Sequence, residues 1–80
     1  SLRGFFMTPK QNDVYLVIQE WWKKFGYAPS LNEIMMITGD RSKSNISRII
    51  GCLVKQGALK KHPTMKRTVR PAHMRFKDVN

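Results

Sequence analysis

Three runs of apolar residues at helical spacing, each closed by a glycine, limit what this chain can build. The third run is the clearest. Ile46, Ile49, Ile50, Leu53 and Val54 fall at i, i+3, i+4, i+7 and i+8, one face of a helix. That helix starts near Ser42, and Gly57 ends it. The first run places Val14, Val17, Ile18, Trp21 and Phe25 on one face, with Tyr15 and Trp22 on its edge, and Gly26 closes it. Thr8-Pro9-Lys10-Gln11 opens this helix: Thr8 caps, Pro9 suits the first helical position, and Gln11 completes a capping box. The second run is shorter. Ser30-Leu31-Asn32-Glu33 is another capping box, Leu31, Ile34, Met35 and Thr38 turn inward, and Gly39 is placed to stop the helix in the left-handed conformation. Pro29 keeps the residue before it out of the helix. Asp40-Arg41 makes a tight turn into the third helix.

After Gly57 the pattern changes period. Ala58 to Lys61 and Lys66 to Arg70 read as two strands around a turn at His62-Pro63-Thr64-Met65, with Leu59 and Val69 inward and Pro71 as the stop. The expected fold class is therefore mainly α with a small β-hairpin, a three-helix winged helix-turn-helix. At 80 residues this is one domain with one modest core and no cleft between lobes. The expected organisation is an N-terminal extension over 1–7, the winged domain over 8–71 and a flexible basic tail over 72–80.

Charge divides the chain in two. The net charge is +10, from 15 Lys and Arg against 5 Asp and Glu. Residues 1–40 hold four bases and four acids, whereas residues 41–77 hold eleven bases and no acid. The neutral half reads as scaffold and the basic half as a contact surface for a polyanion. On the third helix, Ser44, Ser47, Arg48, Gly51 and Lys55 cluster opposite the apolar stripe. Small residues let a helix approach a surface closely, and Arg48 still reaches out of that face. In a helix-turn-helix the N-terminal residues of the second helix meet base edges in the major groove. Asn45 and Arg48 suit adenine and guanine edges there. Arg41, Lys43 and Lys55 add charge around the helix, while Lys60, Lys61, Lys66 and Arg67 on the hairpin reach phosphates or the minor groove.

Other chemistries find less support. His62 and His73 are isolated, the acids show no paired spacing, and the serines read as a cap and a contact face, so no catalysis and no cofactor are expected. Cys52 is single, which excludes an internal disulfide, and no Cys/His set has zinc spacing. No apolar run approaches the roughly 20 residues a bilayer span needs. A membrane surface would accept the charge but does not call for a small-residue helix face. RNA is disfavoured because no stacked aromatics lie among residues 41–70. A winged-helix module for protein contacts is the alternative, with Phe5, Phe6, Met36 and Phe76 as anchors.

The sequence also resembles the N-terminal DNA-binding domain of the LexA repressor family. The resemblance rests on Thr8-Pro9-Lys10-Gln11, Gly26-Tyr27-Ala28-Pro29-Ser30, Glu33-Ile34, Gly39, Arg41-Ser42-Lys43-Ser44, Leu53 with Gly57, and Arg67 to Pro71. It covers about residues 8–71 and implies a winged domain of bacterial or phage type whose third helix reads an operator half-site. By position, the family's base contacts fall on Ser42, Ser44, Asn45, Ser47 and Arg48. Asn45 and Ser47-Arg48 differ from the best-known members, so the operator need not be theirs. Thr38 stands where the family usually has Leu. The resemblance does not extend to the self-cleaving C-terminal domain that such repressors carry. The expected partner is double-stranded DNA, bound by a monomer, by a weak homodimer on DNA or alongside a partner protein, in the cytoplasm and associated with the nucleoid.

Overall fold

A computed structural model of the chain describes residues 7–62 and 68–73. Three helices and a two-stranded antiparallel hairpin follow one another: α1 (Pro9–Phe25), α2 (Leu31–Thr38), α3 (Lys43–Gln56), β1 (Leu59–Lys61) and β2 (Val69–Pro71). The winged helix-turn-helix expectation holds.

Each helix starts where its side chains satisfy the free N–H groups of the first turn. Thr8 Oγ1 accepts from Gln11 N and Gln11 Oε1 accepts from Thr8 N, both at 3.1 Å. Ser30 and Glu33 repeat the arrangement at 2.7 and 3.1 Å. Ser42 Oγ accepts from Asn45 N at 3.1 Å. A helix N-cap of this kind stabilises by about 1 kcal/mol. Between α2 and α3 the chain must reverse within four residues. Gly39 does this at φ 80°, in the left-handed region that side-chain-bearing residues rarely adopt.

The core is one cluster drawn from all five elements. Val14, Ile18 and Trp22 of α1 meet Ile34 of α2, Ile46, Ile49 and Leu53 of α3, and Ala58, Leu59 and Val69 at the hairpin. Ile50, Val54, Leu31 and Met35 pack around it, partly buried. Burial of a side chain the size of Ile or Leu stabilises by about 1.5–3 kcal/mol, which makes this cluster the main source of stability.

Two expectations need correction. Trp22 belongs to the centre of the buried face of α1, and Trp21 and Phe25 do not; Phe25 is 50% exposed. The reason is tertiary. β2 packs along the side of α1 that carries Trp22, which widens the buried arc beyond the apolar stripe. Phe25 lies in the last turn of α1, where its ring packs at a tilt, 4.5 Å from Trp21 and 5.9 Å from Tyr27, out towards solvent. β1 also begins one residue later than expected, at Leu59, Thr68 lies outside β2, and Pro71 is the last residue of β2 and not the stop beyond it. The hairpin tip lies outside the described residues.

The register pairs Leu59 with Pro71, Lys60 with Arg70 and Lys61 with Val69. His62 N donates to Thr68 O at 2.8 Å and Ala72 N to Ala58 O at 2.9 Å. Hydrogen-bonded pairs alternate along an antiparallel ladder, so Lys61–Val69 is a non-hydrogen-bonded pair and the Val69 carbonyl points away from β1. Pro71, in another such pair, has no N–H to offer and loses nothing by it. The indole Nε1 of Trp22 donates to the Val69 carbonyl at 2.8 Å, in a buried position. This bond satisfies a carbonyl that the ladder leaves over, and fixes the hairpin to α1.

Where the two ends of the described fold meet, Met7, Pro9, Tyr15, Ala58, Ala72 and His73 line a shared hollow. Tyr15 Oη lies 3.4 Å from His73 Nδ1 there. Partial burial raises the Tyr15 hydroxyl above its ordinary pKa of 10.0.

Candidate nucleic-acid interface

The outer face of α3 follows from its own periodicity. With Ile46, Ile49 and Leu53 buried, Ser44, Ser47, Arg48, Gly51 and Lys55 are exposed on the other side. Lys43, the first helical residue, and Arg41, in the preceding turn, are exposed as well. Ser42 keeps its hydroxyl on the cap and Asn45 is half-buried.

Two recesses adjoin this face. A shallow one is bordered by Leu31, Lys43, Ser44, Ser47 and Arg48. A groove of about 460 Å³ runs between the start of α2, the outer face of α3 and the hairpin, bordered by Ser30, Asn32, Lys43, Ser47, Gly51 and Lys61. The bare Cα of Gly51 keeps α3 low at this point. The structure therefore brings Lys43, Ser44, Ser47 and Arg48 together and sets Lys61 of the hairpin across from them. Strand alternation turns Lys60 to the other side of β1 from Lys61, so the two hairpin lysines do not share one surface. Lys66 and Arg67 lie outside the described residues.

The upper end of α3 carries a polar chain that sequence reasoning missed. Lys10 Nζ on α1 pairs with Asp40 Oδ2 at 3.1 Å. Asn45 Nδ2 donates to the same oxygen at 3.5 Å, a long contact. Arg48 Nη2 donates to Asn45 Oδ1 at 2.7 Å. Asp40 N donates to Thr38 Oγ1 at 3.3 Å, and Thr38 Oγ1 donates to Ile34 O at 2.9 Å, so the carboxylate hangs from a braced turn. The Lys10 ammonium holds the Asp40 carboxyl below its ordinary pKa of 3.8, first through its hydrogen bond and then through its charge. Partial desolvation opposes it, and the Ser42 N–H and the Asn45 amide add smaller contributions in the same direction as Lys10. Asp40 shows in the sequence only as a turn residue, and Lys10 only as the second residue of a helix 30 positions away. No local signal joins them.

Among the described residues, no three His, Cys, Asp or Glu side chains group to hold a metal ion. No described helix is long and apolar enough to cross a membrane.

A three-helix core, a short second helix turned into a third with a small, acid-free outer face, and a hairpin set beside that face define a winged helix-turn-helix domain of the nucleic-acid-binding class. Comparison with known proteins makes the class specific. The LexA DNA binding domain family matches residues 6–68, and the chain belongs to that family. Similar proteins include the LexA repressor of Gluconobacter oxydans (strain 621H), 38% identical over 56 residues. The LexA repressor of Acidiphilium cryptum (strain JF-5) is 34% identical over 56 residues. In both cases the match takes in 70% of this chain and 24% of the relative, so the chain spans about a quarter of the length of these repressors.

Proposed function

We propose that this chain binds double-stranded DNA sequence-specifically, as the reading head of a repressor-type transcriptional regulator in the cytoplasm, on the nucleoid. In this reading α3 enters the major groove and the hairpin rests on the backbone or in the minor groove. Ser42, Ser44, Ser47 and Arg48 are the base-facing set, and Asn45 stands among them at the start of α3. Arg41, Lys43, Lys55, Lys60, Lys61, Lys66 and Arg67 neutralise phosphates. The DNA-binding unit runs over 8–71, with 1–7 and 72–80 as flanking segments. It works without cofactor or catalytic chemistry.

The observation that carries this reading is the outer face of α3: small, exposed, without an acid, and joined by one groove to Lys61. A helix that only faced solvent would mix Glu with its Lys. A domain this size covers one half-site, so binding to a single half-site is weak and the free protein is mostly monomeric at micromolar concentration. Selection of bound duplexes from a random pool tests the reading. One strong motif supports it; no enrichment over a scrambled pool, or equal affinity for an acidic polypeptide, overturns it.

A second surface favours an additional protein contact. Leu16, Phe25, Tyr27, Met36 and Ile37 are exposed, Met36 to 81%. Met36 was one of the expected anchors; Phe5, Phe6 and Phe76 lie outside the described residues.

A further inference from the structure

The chain Lys10–Asp40–Asn45–Arg48 divides labour at the start of α3. We propose that Arg48 is the guanine-reading residue, that Asn45 is a positioning residue that aims it, and that Asp40, outside the recognition helix, is a determinant of base specificity. The inference rests on the DNA-reading function proposed above.

The argument starts from the amide of Asn45. Its two ends lie between an anion and a cation. Nδ2 meets the Asp40 carboxylate and Oδ1 meets the Arg48 guanidinium. The reverse orientation would set oxygen against carboxylate and N–H against guanidinium, so the neighbours fix the flip. Asp40 cannot swing away, because Lys10 grips the same oxygen and Thr38 holds its backbone. A reader must be held close to its productive geometry by supporting side chains. Arg48 is exposed on the outer face, and only one of its guanidinium nitrogens is engaged with Asn45. Nη2 carries a second N–H, and this with a neighbouring guanidinium N–H remains for the bidentate contact with guanine O6 and N7. Asn45 has the opposite balance: it is half-buried, and each end of its amide already has a partner. An asparagine reading adenine needs both ends turned to the base.

Asp40 also supplies a charge of the wrong sign for a DNA surface. An acid at this place weakens general attraction to phosphates. In exchange it fixes the donor array of Arg48.

Binding of the full 80-residue chain and its variants to a panel of single-base variants of the selected duplex tests this. Arg48→Ala should abolish the preference for guanine at one position, about 5- to 150-fold. Asn45→Ala and Asp40→Ala should each reduce the preference at that same position and leave the other positions unchanged. Asp40→Ala should meanwhile bind unrelated duplex more tightly than the parent, which a merely unfolded protein does not do. Asp40→Asn keeps an acceptor oxygen for Asn45 and loses the charge, so it should gain general affinity while retaining most of the base preference.

Loss of an adenine preference at a second position in Asn45→Ala, with the Arg48 position untouched, makes Asn45 a reader and overturns the inference. An unchanged base profile in Asp40→Ala overturns it too. In either case an intact response to Arg48→Ala leaves the DNA-reading function standing. A parent profile flat at every position removes both.

Discussion

The hydrogen bond from Trp22 to Val69 is a single point at which the hairpin can be loosened from α1. Trp22→Phe keeps an aromatic ring in the core and deletes the donor. The Val69 carbonyl points away from β1 and is buried against α1, so neither the ladder nor water replaces the lost partner. An unsatisfied buried carbonyl costs about 1–3 kcal/mol. The volume vacated by the smaller ring adds roughly 1 kcal/mol. Together these give about 2–4 kcal/mol, a large fraction of the ~4–12 kcal/mol expected for a domain of this length. For such a domain each kcal/mol moves Tm by about 4–8 °C, so Trp22→Phe should melt at least roughly 8 °C below the parent. Thermal unfolding followed by far-UV circular dichroism reads this. Amide exchange at His62 and Ala72, whose N–H groups bond across the hairpin, should quicken as well, because the hairpin loses its anchor. A Tm within 2 °C of the parent, with unchanged exchange, would show that the bond carries no net stability and that the hairpin is held by apolar packing alone.

Three further outcomes are expected. The dissociation constant for the selected duplex, measured across a salt series, should give log K falling against log salt with a slope of about −4 to −5, as for four to six neutralised phosphates, and Lys66→Ala should reduce that slope by about one. Gly39→Ala should cost about 1–2 kcal/mol in urea unfolding, entirely from the backbone at φ 80°, because a Cβ there meets no atom within 4 Å. Asp40 has a folded-state pKa depressed below 3.8, so its contribution to stability is present above that value and is lost as pH falls through the folded pKa; Tm measured from pH 6 down to pH 2 should drop less in Asp40→Asn than in the parent.

Local chemistry made the helices legible. Capping boxes at Thr8 and Ser30, the glycines that follow each helix and the spacing of Ile46, Ile49 and Leu53 are all properties of short segments. The acid-free outer face of α3 could be read for the same reason. What could not be read depends on contacts between distant segments. Trp22 looked peripheral because the partner of its indole is 47 residues away in β2. Asn45 and Arg48 were visible as side chains of the right type at the start of α3. Their link to Asp40 and Lys10 was not, because it needs the packing of α1 against the α2–α3 turn. Lys60 and Lys61 face opposite sides of any strand, but which of them borders the α3 groove is decided by how the hairpin packs against the helices.

Met7 and His73 border one hollow, and that juxtaposition bears on how the domain tolerates being rewired. The folded state already sets both residues on the rim of one hollow, so a covalent bridge that spans it would act mainly on the unfolded ensemble. For a ring of this size, closure entropy is worth about 4 kcal/mol at the ideal limit. Fresh ends could then be opened at the exposed Gly26–Tyr27 connection between α1 and α2. The order in which the elements are threaded is thus separable from the surface they jointly build.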